Sequence, residues 1–187
     1  MINLDKITSI YGPSASGKTT LAIQSMINLL KENKKILYLD TEGKFSLERI
    51  KQISDINLDN LLVLKIKNFK EQQMKINELE NIKNISLIVI DTINNHYRTL
   101  VKSKSELANR MLIKQLRILK RLNIPVIVVS QVYTNPTSGE IVPTGNNIIK
   151  IDSNQLIELK KDPRKIIYKN ENKEHFFKIT NKGIEII

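Results

Sequence analysis

Eight residues constrain this chain more than any others: Gly12-Pro-Ser-Ala-Ser-Gly17-Lys18-Thr19, a full match to G-x-x-x-x-G-K-[ST]. With glycine at only 6 of 187 positions, a chance match arises in roughly one chain in a few hundred. The flanks match too. Ile7–Tyr11 is an apolar run that reads as a buried strand. From Lys18 to Lys31, Leu21, Ala22, Met26 and Leu29 or Leu30 recur near the 3.6-residue period of a helix. A glycine loop between strand and helix is a phosphate cradle. Gly12 and Gly17 let the loop of Pro13, Ser14, Ala15 and Ser16 curl into Thr20, so that its successive N–H groups, which Pro13 lacks, face an anion at a helix N-terminus. In such a loop Lys18 reaches the β- and γ-phosphates and the Thr19 hydroxyl ligates Mg²⁺. ATP with Mg²⁺ is the implied ligand.

The remainder alternates strand and helix. Ile36–Asp40, 61–66, Leu87–Asp91 and 125–130 read as further strands. Ser46 caps a short helix from Leu47 to about Ser54, with Arg49 in its first turn. Helices are predicted over 69–81 and 105–122, the second with Leu107, Met111, Leu112, Leu116 and Leu119 as its core stripe. Continuous apolar strands separated by helices predict an α/β fold with a mostly parallel sheet between helices. After residue 151 the pattern becomes a meander. Short strands are expected at Gln155–Lys161, 165–169 and 176–180, extending one edge of the sheet antiparallel. Residues 133–150 are the longest stretch without regular patterning, and such loops are usually functional. One domain over 1–187 is expected.

Three further positions suit phosphate chemistry. Asp91 ends an apolar strand, where a rigid carboxylate can hold the water shell of magnesium. The next residue is Thr92, so a water-activating acid must come from elsewhere. Asp40 and Glu42 share a face at the end of the second strand, and Glu42 lies past that end, toward the crevice where open α/β sheets bind ligands. Glu42 therefore reads either as that acid or as a turn former before Gly43. Gln131 follows the fifth strand at the same sheet edge, where an amide can bond a γ-phosphate and report its loss to the next loop. Taken alone, a polar strand end is the plainer reading. His96 and His175 lie far apart without a metal-like cluster and read as surface or structurally satisfied.

Charge points outward. Thirty Lys+Arg against 19 Asp+Glu leave +11, more than ATP needs. Either the lysines are a solvated surface or the chain meets a polyanion, most simply nucleic acid. Zero cysteines exclude disulfides and thiolate metal sites. No run reaches the ~18 apolar residues of a membrane helix, and no secretory signal is visible, so a cytoplasmic chain is expected.

Together these strings resemble the RecA superfamily and, within it, the archaeal RadB proteins. The resemblance rests on Tyr11 through Thr20, Tyr38-Leu-Asp-Thr-Glu-Gly43 with Phe45 and Glu48-Arg49, Lys70-Glu-Gln72, Ile90-Asp91 with His96-Tyr-Arg98, and Pro125 through Val132. It covers essentially the whole chain, most strongly before residue 132. It implies a RecA-like P-loop NTPase core in which Glu42 polarises the attacking water, Arg49 packs on adenine and Gln131 couples the γ-phosphate to a DNA-binding loop. Residues 98–110 and 133–147 fall where the family's two DNA-facing loops lie. Arg98, Lys102, Lys104 and Arg110 form a phosphate-neutralising set in the first. Tyr97 and Tyr133 are the aromatic candidates for touching bases.

The resemblance implies a weakly hydrolysing ATPase that binds DNA and assists recombination and repair beside a recombinase, junction resolvase or polymerase. The recombinases' helix-hairpin-helix domain and polymerisation linker are not found, so strand exchange by this chain itself is not expected, and self-association is left open. The alternative is a regulatory ATP switch of the KaiC-related type, acting on protein partners.

Overall fold

The computed structural model describes residues 6–134, 141–145, 148–149 and 153–187. The chain runs β1 (Ile7–Tyr11), α1 (Lys18–Lys31), β2 (Ile36–Asp40), α2 (Leu47–Ile53), β3 (Leu61–Lys65), α3 (Phe69–Glu78), β4 (Leu87–Asp91), α4 (Asn95–Leu100), α5 (Ser105–Arg121) and β5 (Val126–Ser130). A small hairpin follows, β6 (Val132–Thr134) and β7 (Ile141–Pro143). The chain ends in β8 (Gln155–Lys161), β9 (Arg164–Tyr168), β10 (Lys173–Thr180) and β11 (Gly183–Ile186).

Nine strands form one sheet in the order β11-β10-β9-β8-β1-β5-β4-β2-β3. From β3 to β8 the neighbours are parallel, and from β8 to β11 antiparallel. The α/β fold with an antiparallel extension is as the sequence predicts. β1, β2, β4 and β5 are buried at every position, because helices cover both faces. Strand alternation divides their side chains between two cores. Leu37, Leu39, Ile88, Ile90, Val126 and Val128 pack with α3, α4 and α5. Ile36, Tyr38, Leu87, Val89, Ile127 and Val129 pack with α1, α2 and the meander.

The register levels the strand ends. Asp40 pairs with Asp91, Asp91 with Val129, and Tyr11 with Ser130. The residues that follow these strands therefore emerge on one edge, where doubly wound sheets bind ligands. Capping is as expected at α2, where Ser46 Oγ accepts the Arg49 N–H at 3.1 Å.

Some expectations shift. Leu107 stands 40% exposed in the first turn of α5, and the buried stripe is Ala108, Leu112, Leu116 and Leu119. The meander has a fourth strand, β11, after the tight turn at Asn181-Lys182. Helix α4 was not legible, since it spans only Asn95–Leu100 and its Asn94 cap position makes no side-chain capping bond. The patternless stretch contains the β6–β7 hairpin, whose tip at 135–140 lies outside the described residues.

Candidate functional site

Gly12-Pro-Ser-Ala-Ser-Gly17 arches from β1 to α1, with Gly17 left-handed at φ 102° as the helix cap. Gly12 has a second reason to be glycine. A Cβ there would sit 2.2 Å from the Leu159 carbonyl oxygen of β8. The β8–β9 turn also braces the loop, since Arg164 Nη1 donates to the Ala15 carbonyl at 3.2 Å. Ser16 Oγ is buried without a hydrogen-bond partner among the described residues. Lys18 Nζ donates to the Pro13 carbonyl at 2.7 Å. Burial holds the Lys18 pKa below the ordinary amine value, against the opposing pull of Asp91 and Glu42.

Thr19 and Asp91 meet as expected. Thr19 Oγ1 donates to Asp91 Oδ2 at 2.7 Å, and Tyr38 Oη donates to the same oxygen at 2.7 Å. Burial raises the Asp91 pKa, although both hydroxyl bonds favour the carboxylate. Hard oxygen donors suit Mg²⁺. Among the described residues no cluster of three or more His, Cys, Asp or Glu could cage a metal. Mg²⁺ in general needs only one or two protein side chains, with waters and phosphate oxygens completing its shell.

The structure separates the two acids at the end of β2. Asp40 is a turn builder: Oδ1 accepts the backbone N–H of Glu42 at 3.1 Å and of Gly43 at 2.8 Å, and Oδ2 that of Phe45 at 3.1 Å. Glu42, by contrast, lines a cleft of about 700 Å³ together with Gly12–Ala15, Lys18, Thr19, Asp91 and Gln131. Its Oε1 accepts from Gln131 Nε2 and, at 3.2 Å, from Thr92 Oγ1, while Lys44 Nζ bonds Oε2 at 2.9 Å. Burial alone would raise the Glu42 pKa, but the hydrogen bonds from Lys44 and Gln131 outweigh it and hold the group below the usual carboxylate value.

The basic set divides. Arg98 lines the cleft, facing the same space as Lys18 and Glu42. Lys102, Lys104 and Arg110 are exposed and do not line it. Tyr97 departs from expectation: it is 5% exposed, its ring 6.2 Å from Phe69 and its hydroxyl 2.7 Å from Asn109 Oδ1. Helix α4 turns it into the core, away from any base. Tyr133 is 46% exposed and lines the cleft. Much of 133–147, the second expected loop, lies outside the described residues.

Arg49 reaches across to the meander, where Nη2 donates to the Thr180 carbonyl at 2.9 Å. The preceding residue, Ile179, lines a smaller recess of about 210 Å³ with Gly17, Lys18, Thr19 and Thr20. His96 Nε2 lies 2.9 Å from the Ile66 carbonyl, and His175 is exposed on β10 with its ring edge-on to Tyr168.

Sequence reading missed the Thr and Asn residues that tie the strand ends together. Thr41 Oγ1 donates to the Thr92 carbonyl at 2.7 Å and accepts its N–H at 2.9 Å. Asn95 Nδ2 donates to the Thr41 carbonyl at 2.6 Å. A polar run after a strand reads as a turn, and nothing in one sequence tells which carbonyls it will meet.

Sheet order, P-loop and paired strand-end acids define a RecA-like P-loop core. The Rad51 family model matches residues 2–186, and the chain belongs to that family. It is 38% identical to the "DNA repair and recombination protein RadB" of Thermococcus sibiricus, over 97% of this chain and 86% of that one. Its identity to the RadB of Methanococcus maripaludis strain C7 is 34%, over 99% and 94%. A solved structure described as the RadB recombinase superposes with a TM-score of 0.77 at 32% identity, covering 97% of this chain and 90% of that one. The resemblance to RadB proteins thus holds over the whole fold.

Proposed function

We propose that this chain is a Mg²⁺-dependent, weakly hydrolysing ATPase that binds DNA and assists homologous recombination and repair without itself catalysing strand exchange. The observation that carries the reading is the Glu42–Gln131 hydrogen bond inside the P-loop cleft. An acid that can orient water and an amide that can sense a phosphate are in direct contact, beside the loop that cradles phosphate.

Each side chain has a part. Residues Gly12–Thr20 hold the triphosphate through backbone N–H groups, with Lys18 as the cation against the β- and γ-phosphates. Thr19 and Asp91 would hold Mg²⁺, which would supply positive charge to the phosphates. Glu42 accepts a proton from, or aligns, the attacking water. Arg49 and Ile179 flank the side of the loop where the base would lie. The reading of DNA binding is supported by the family, by the net +11 and by exposed Lys102, Lys104 and Arg110. Residues 133–147 contain no Lys or Arg, which favours an assisting role beside a recombinase, resolvase or polymerase. Among the described residues no helix is long and apolar enough to cross a membrane. A cytoplasmic location follows from the proposed work on DNA.

The test is fluorescence anisotropy with single-stranded, duplex and junction DNA, with and without ATP, over a salt series, on wild type and Lys18→Ala. Wild type is expected to bind DNA with an affinity that falls as salt rises, and ATP is expected to change it. In Lys18→Ala the response to ATP disappears. Tight ATP binding in the variant would refute the nucleotide site. ATP binding with no affinity for any DNA would favour a switch acting on proteins.

A further inference from the structure

Asn94 stands three residues beyond Asp91 and is fully buried, outside the lining of the cleft. Its amide is committed elsewhere. Nδ2 donates to the Gln131 carbonyl at 2.9 Å and to the Thr144 carbonyl at 3.0 Å. Oδ1 accepts the Gln131 N–H at 2.9 Å. The Gln131 carbonyl also accepts the Thr144 N–H at 3.0 Å, closing the base of the β6–β7 hairpin. One side chain from the end of β4 thus holds both backbone groups of Gln131 and the residue by which the hairpin returns.

The partners leave no freedom in the amide. Two carbonyls demand donors and one N–H demands an acceptor, so a single orientation of Asn satisfies all of them. Asp would present an oxygen to two carbonyls; Ser and Thr are too short to supply both donors. A side chain that merely filled this space would need no such match. Asn94 also sits at the cap position of α4 and makes no capping bond there. Its polar groups serve the hairpin and not its own helix.

We propose that Asn94 is the positioning residue that joins the phosphate-sensing amide of Gln131 to the β6–β7 hairpin, so that a shift of Gln131 against Glu42 moves the hairpin base as one body. This rests on the reading of Gln131 as a γ-phosphate sensor. Movement of the Gln131 backbone is felt at Asn94, because its N–H and its carbonyl are both held by the same amide. It passes to Thr144 through Asn94.

Hydrogen exchange of wild type in ADP and in a non-hydrolysable ATP analogue makes the first test. The amides of Gln131, 132–134, Val142, Thr144 and Gly145 are expected to change protection together between the two nucleotides. Failure of the protein to bind either nucleotide would remove the underlying sensor reading. Binding with a change at Gln131 but none at Thr144 would overturn the link alone. In Asn94→Asp, and in the milder Asn94→Ser, nucleotide affinity should stay within about threefold while kcat falls about tenfold or more, since small misplacements at a reacting centre are costly. The nucleotide-dependent change at Thr144 should be lost. If Asn94→Asp does not fold, Asn94→Ser carries the comparison; if neither folds, the wild-type exchange pattern decides. In a Gln131→Ala background, Asn94→Ser should slow turnover no further, because both substitutions act on one unit. An additive loss, or a Thr144 response equal to wild type, overturns the proposal.

Discussion

The parallel half of the sheet and its antiparallel extension are built on opposite principles. β1, β2, β4 and β5 are buried along their whole length, and their ends carry Gly12, Glu42, Asp91 and Gln131. β8 to β11 bury one stripe, with Ile157, Leu159, Ile166 and Phe177 in the core beside α1, and carry ion pairs such as Lys169–Glu158 and Lys165–Glu174 elsewhere. Chemistry collects where parallel strands end together. The meander contributes a wall: the Leu159 carbonyl against Gly12, Arg164 on Ala15, Ile179 beside Gly17, and the Thr180 carbonyl holding Arg49. Its lysines look like a second basic surface in sequence, but several of them are neutralised by neighbouring glutamates.

The sharpest way to break this division is at Glu42. Replacing it by Gln removes the base while nearly keeping the shape, so hydrolysis should fall by about 10² or more with ATP still bound. Asp40→Asn should instead act through the turn it organises, lowering thermal stability more than the chemical step. Steady-state turnover beside nucleotide affinity separates the two, and the reverse pattern would move the acid to Asp40.

A smaller effect tests the wall. Gly12→Ala places a methyl group against the backbone of β8, which cannot swing aside as a side chain can. It should destabilise the protein by about 1–3 kcal/mol and weaken nucleotide binding. Unchanged melting and unchanged affinity would mean that the meander does not brace the loop.

The smallest effect compares the two basic surfaces. Lys102 and Lys104 are exposed and have no ion-pair partner among the described residues, whereas Lys165 and Lys169 pair with Glu174 and Glu158. Replacing Lys102 and Lys104 by Ala should flatten the slope of log affinity for DNA against log salt by about one to two units, with ATP affinity kept. The same change at Lys165 and Lys169 should leave the slope alone. If the slope follows the second pair, the DNA face lies on the meander.

Arg98 shows where reading by position stops. It belongs to the same sequence segment as Lys102 and Lys104, yet α4 carries it into the cleft while the other two face solvent. Tyr97, its neighbour, goes into the core by the same turn of helix. A six-residue helix has too few positions to show a period, so neither placement could be read beforehand.

The sequence by itself determined the P-loop motif, the parallel sheet, the carboxylate of Asp91 at a strand end and the family. Each of these depends on local chemistry or on a pattern several residues long: glycines where a loop must curl, unbroken apolar runs where both faces are covered, a carboxylate at a strand end. Only the tertiary structure decided which acid faces the cleft, that Glu42 bonds Gln131, and that Asn94 grips both Gln131 and Thr144. Those contacts join strand ends 37 to 89 residues apart. They follow from strand order and register, which bring Asp40, Asp91 and Val129 to one level, and no local pattern in a single sequence encodes that adjacency.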